Sequence, residues 1–112
     1  MDHREKILWE NVQEYLETAE QVFLEKKYNS AATLFFKAIC AAADLFIFKK
    51  EGFVPSSHTH RFRVVQEKYP FLYEMLDQDF PFYQDSYTKK LSIDAVEVLR
   101  DDAHQIKKLL ES

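Results

Sequence analysis

The sequence predicts an all-α fold, a four-helix up-and-down bundle with a kinked or split third helix, on three observations. First, 112 residues contain one Gly and three Pro, too few turn formers for a sandwich or barrel. Second, apolar residues recur at three- and four-residue steps through long segments. Third, the segments run long, long, broken, long, with short breaks between them, the order of an up-and-down bundle. A chain of this length fits one domain, residues 1–112. Its 46% apolar and 15% aromatic content supplies a core that, at roughly 25 cal/mol per Å² buried, needs no staple.

The first helix is expected from about Asp2 to Lys26. Leu8, Val12, Tyr15, Leu16, Ala19, Val22 and Phe23 form one stripe, and the glutamates lie mostly off it. Asn29 or Ser30 is the expected N-cap of a second helix from Ser30 to Lys50, because its side-chain oxygen can accept from a free amide of the first turn. That helix is apolar over most of its girth, which predicts a central position. Lys49 and Lys50 suit its C-terminal dipole, and Gly52 suits a C-cap. Ser56 or Ser57 is expected to cap the third helix, starting near His58. Pro70 then either kinks this helix or starts a new one. Asp79 to Tyr87, with Pro81 inside, reads as an irregular aromatic segment. Ser92 caps the last helix, whose stripe is Val96, Leu99, Ala103, Ile106, Leu109 and Leu110.

The formal charge of −4 argues against a broad nucleic-acid surface, yet His58, His60, Arg61, Arg63 and Lys68 cluster locally. Cys40 stands alone in an alanine-rich stretch, so no disulfide framework is expected and a reducing compartment suits the chain. MDHREKILWENVQ is charged and lacks an apolar core, so no signal peptide is expected. The longest apolar run is broken by Asp44, so no membrane span is expected either. A cytoplasmic location follows as the expectation.

Candidate chemistry is sparse. His58 and His60 are two apart, so on a helix they do not share a face, and nothing adjacent completes a ligand set. No metal and no cofactor is expected. The start of the third helix, with Arg61 and Arg63, suits an anion. Asp44, within an apolar stretch, calls for a partner such as Arg61 or His60 to offset its desolvation. Arg100 and His104, four apart on one face, combine a cation with an acid–base group, the pairing RNA cleavage uses; the simpler reading is a solvated face with charge pairs. A single Gly excludes a phosphate-binding glycine loop. Phe36, Phe48, Phe53, Phe80 and Phe82 are more rings than one small monomer is expected to hide, which points to an interface.

The stretch YNSAATLFFKAICAAADLFIFKKEGFVPSSHTHRF resembles the centre of the HEPN domain of bacteria and archaea. A tyrosine-containing turn leads into an alanine- and aromatic-rich second helix, a Gly loop follows, and Thr59-His60 matches the Thr-His pair opening the third helix. YQDSYTKKLSIDAVEVLRDDAHQIKKLL is similar to the family's Asp-Tyr loop and final helix, with Asp85-Ser86-Tyr87 in the loop position. The resemblance implies a four- or five-helix bundle, commonly a homodimer, active around RNA or nucleotides. Many such proteins are toxin ribonucleases, and others accompany small nucleotidyltransferases in toxin–antitoxin pairs. The ribonucleases carry an Arg and, four to six residues later, a His near the start of the last helix. This chain departs from that element: Phe82-Tyr83-Gln84 precedes Asp85, and Arg100 and His104 sit mid-helix.

The expected function is therefore a non-catalytic HEPN-like module that dimerises and binds a nucleotide, an RNA or a nucleotidyltransferase partner, with His58, His60, Arg61 and Arg63 as the ligand patch. One alternative is a metal-independent ribonuclease using Arg100 and His104. Another is a purely structural protein-interaction domain.

Overall fold

A computed structural model describes residues 2–111. Among these residues there are five helices and no strand: α1 His3–Leu24, α2 Tyr28–Glu51, α3 His58–Lys68, α4 Pro70–Asp85 and α5 Ile93–Glu111. The all-α class stands as expected. The third expected helix is split, one of the two outcomes expected at Pro70, into α3 and α4, which makes five helices. Pro70 takes the first position of α4, where its missing N–H is no loss.

α2 is central. α1 lies along it, α5 and α4 pack against other sides of it, and α3 leans on α4. Phe35, Ile39, Ala42 and Ile47 of α2 are fully buried, as are Val12 of α1, Leu72 and Leu76 of α4, and Leu99 and Ile106 of α5. Ala19 of α1 and Ala31, Ala38 and Ala42 of α2 are buried as well. By length and composition α2 could cross a membrane, contrary to the expectation from its interrupted apolar run, but most of that stretch is covered by the other helices.

Local chemistry explains each boundary. Asp2 caps α1 by accepting from the amides of Arg4 and Glu5. α1 ends where Lys26 takes a left-handed φ of 63°, and the Lys27 amide donates back to the Val22 carbonyl. Gly52 closes α2 with φ 86°. Ser57 caps α3 by accepting from the His60 amide, and Ser92 caps α5 by accepting from Ala95. Lys68 and the Tyr69 hydroxyl both donate to Glu51, tying the α3–α4 corner to the end of α2.

Three expectations are corrected. α2 starts at Tyr28, ahead of Asn29 and Ser30, with no side-chain cap. The segment from Asp79 is helical through Asp85: Pro81 lies on the exposed side, while Leu72, Leu76, Asp79 and Tyr83 carry one stripe past it. The rings that looked surplus mostly go inward. Phe36 is buried, and Phe48, Phe80 and Phe82 are partly covered. Phe53 of that set stays exposed, as do Phe71 and Tyr87.

Asn29 works over long range. Its Nδ2 donates to the carbonyls of Ser86 at 3.0 Å and Lys89 at 2.6 Å, and its Oδ1 accepts from the Leu91 amide at 3.0 Å. This side chain therefore pins the α4–α5 loop to the start of α2. Asn29→Ala leaves two carbonyls and one amide unpaired, and is expected to cost on the order of 2 kcal/mol. Chemical denaturation checks the value, and a change under half of it would show that the loop re-pairs with water.

Candidate functional site

Because α1 rests on α2 while α3 rests on α4, a wedge opens between the two pairs. It forms a cleft of about 480 Å³. α1 supplies Leu8, Asn11 and Tyr15, and α3 supplies His58 and Arg61. Phe80 and Tyr83 come from α4. α2 contributes Phe36, Lys37, Cys40, Ala41 and Asp44, whose last four stand at i, i+3, i+4 and i+7 and so share one face.

The polar wall is one connected chain. Arg61 Nε donates to Asp44 Oδ1 at 2.7 Å and a terminal nitrogen donates to Oδ2 at 2.9 Å. Such a planar two-point pairing is the strongest an arginine makes with a carboxylate. The other terminal nitrogen lies 2.8 Å from His58 Nδ1. Arginine has only donors, so Nδ1 accepts and the ring proton sits on Nε2. Burial, and then the Arg61 charge, hold the His58 pKa below its ordinary value, which keeps the ring neutral. Its Nε2 is buried without a hydrogen-bond partner, among Phe36, Phe62 and Phe80 with centroids 5.9, 4.8 and 4.7 Å away.

The remaining lining is aromatic. Tyr83 stacks on Phe36 at 4.9 Å, and its hydroxyl meets that of Tyr87 at 2.8 Å. Lys37 is exposed and has no ion-pair partner among the described residues. With Asp44 and Arg61 cancelling, Lys37 leaves the cleft with a net positive charge. Burial pushes the Cys40 thiol up to about 12, so it is an inert part of the floor.

The expected ligand patch divides. His58 and Arg61 line the cleft, and His60 and Arg63 do not. His60 Nδ1 accepts from the Ser56 amide at 3.0 Å and its ring stacks on Phe53 at 5.5 Å, a brace for the Gly52 loop. Arg63 is exposed, two residues from Arg61 and therefore on another side of the helix.

Arg100 and His104 meet elsewhere. Arg100 Nε lies 2.8 and 2.9 Å from the Glu20 oxygens, and His104 Nε2 lies 2.6 Å from Glu20 Oε2. The guanidinium also sits 5.0 Å from the Phe23 ring centre. Burial raises the Glu20 pKa, but the bonds from Arg100 and His104 outweigh it and hold the carboxyl below its ordinary range. The cluster joins α1 to α5 outside the cleft.

Sequence reasoning missed Lys37, Asn11, Tyr15 and Tyr83. One signal was present: Lys37 and Asp44 are the only charged residues from Tyr28 to Phe48, seven apart and so on one face. It missed Asp79 too, which is 0% exposed with neither carboxyl oxygen hydrogen-bonded. Burial, with Asp102 of α5 opposite, pushes its pKa up to about 9.

Comparison of the chain with family models, with curated proteins and with solved structures finds no match.

Proposed function

We propose that this chain is a non-catalytic binding module, a HEPN-like four-helix up-and-down bundle with its third helix split at Pro70, whose cleft takes a nucleotide. The observation that carries the reading is the lining of that cleft: aromatic faces beside an unpaired Lys37 and a fixed Asp44–Arg61 wall. Rings offer stacking to a base, at about 1–3 kcal/mol per base in single-strand binders, and Lys37 offers a cation to a phosphate. Binding rather than catalysis is favoured because His58, the imidazole of the cleft, has Nδ1 engaged by Arg61 and Nε2 enclosed by rings. Dimerisation and a nucleotidyltransferase as partner belong to the same proposal and rest on the resemblance alone.

Titration calorimetry with adenosine and guanosine mono- and triphosphates tests the cleft. Wild type is expected to bind at least one of them, and Lys37→Glu, a change at an exposed position, to weaken it by about tenfold or more, near 1.4 kcal/mol. Equal affinity in both proteins, or no binding to wild type at millimolar nucleotide, removes the proposal.

A further inference from the structure

A second apolar surface shares no residue with the cleft. Between the start of α4 and the end of α5 a groove of about 350 Å³ is lined by Phe71, Met75, Ile106 and Leu109, with Lys108 on its border. Leu109 also lines a neighbouring hollow of about 310 Å³ with Phe46, Lys49 and Lys50. Phe71 meets Phe46 edge to face at 5.8 Å, which joins the two hollows into one strip. Phe71 is 50% exposed and Leu109 39%. Contiguous apolar surface with a polar border marks a protein contact.

The border selects the partner. Lys50 lies over the Phe46 ring at 5.7 Å, and Lys108 has no ion-pair partner among the described residues. Lys49 reaches Glu5 only at 3.8 Å and stays 45% exposed. Three lysines border this strip in a chain whose formal charge is −4. A second copy fits poorly, because a two-fold contact through this face would bring the same lysine border to both sides of one seam. Two adjacent hollows offer places for two apolar side chains of one helical face, the mode by which an amphipathic helix docks in a groove.

We propose that this groove seats an acidic amphipathic helix of a partner protein, with two bulky apolar side chains in the hollows and carboxylates against Lys50 and Lys108. The probes are two fluorescein-labelled helical peptides of about 18 residues, long enough to hold a helix. They share one leucine-phenylalanine face and carry either Glu or Lys at the flanking positions. Fluorescence anisotropy is expected to show the Glu peptide binding wild type about tenfold tighter than the Lys peptide, a gap that narrows with salt. The double change Lys50→Glu with Lys108→Glu, at exposed sites, reverses the preference, and Phe71→Ser weakens the Glu peptide about tenfold with the circular dichroism spectrum retained. No binding of either peptide, or equal binding of both, overturns the proposal. So does a wild-type solution mass of two chains that Phe71→Ser reduces to one, which would make a second copy the occupant.

Discussion

Arg61→Met is expected to lower the stability of the chain by about 3 kcal/mol, read as a lower denaturant midpoint with an unchanged slope. The side chains of Arg61 and Asp44 are only 14% and 13% exposed, so water screens the pair weakly. Removing the guanidinium strips both Asp44 oxygens of their donors and leaves a carboxylate beside Cys40 and Phe36. It also frees His58 Nδ1, which has no other donor within reach. Asp44→Leu combined with Arg61→Met is expected to recover most of the loss. The intact pair has to repay its own desolvation, so most of the single-variant cost comes from the orphaned charge. A single-variant loss below about 1 kcal/mol would mean that the pair behaves like an exposed one. The double variant also separates the two roles of this wall. If it folds as wild type yet no longer binds nucleotide, Asp44 and Arg61 belong to the recognition surface as well as to the core.

That pairing was legible in the sequence, because a lone acid in an apolar helix must find a cation, and Arg61 opens the next helix. So were α1, α2 and α5, whose stripes repeat over several turns, and the caps at Gly52, Ser57 and Ser92, whose chemistry is local. The break at Pro70 was legible for the same reason, since a proline acts on its own turn. Asn29 was not. A short polar residue before a helix reads as a cap, and only the folded chain shows its amide bonding to atoms 57 to 62 residues away. Pro81 misled because its exposed side of the helix tolerates the missing donor, which depends on what packs opposite. Proximity in the chain also grouped His58, His60, Arg61 and Arg63, and helix geometry then sent them to different faces. The cleft itself depends on α1 and α3 standing apart, a relation between helices that no local pattern encodes.

The second large effect is a loss of stability between pH 7 and 8.5, expected at roughly 2 kcal/mol in wild type and cut to about 0.3 kcal/mol in Asp79→Asn. Asp79 is wholly enclosed and its pKa stands near 9 rather than the ordinary 3.8, so the folded chain keeps a proton that the unfolded chain has released. Folding in this window therefore takes up a proton, and each pH unit disfavours the fold by about 1.4 kcal/mol. The stability linked to this proton is whole below the ordinary carboxyl pKa and falls progressively as pH climbs toward 9. The other shifted groups contribute little in this window. Glu20 and Glu51 have lowered values and lose their contribution only as pH falls into the acid range. His58, also lowered, adds a small opposite slope that fades within about one pH unit above the ordinary imidazole value. Cys40, facing Asp79 from α2, stays neutral in the fold because its pKa lies near 12. Its unfolded thiol begins to ionise at the top of the window and adds about 0.3 kcal/mol of the same sign. Asp102 faces Asp79 from α5. Burial is the larger cause of the shift, ahead of Asp102. Asp102→Asn should therefore keep most of the slope while Asp79→Asn removes nearly all of it. If Asp102→Asn flattened the profile as fully as Asp79→Asn, the interaction with Asp102 across the α4–α5 seam, and not enclosure, would be what holds the proton.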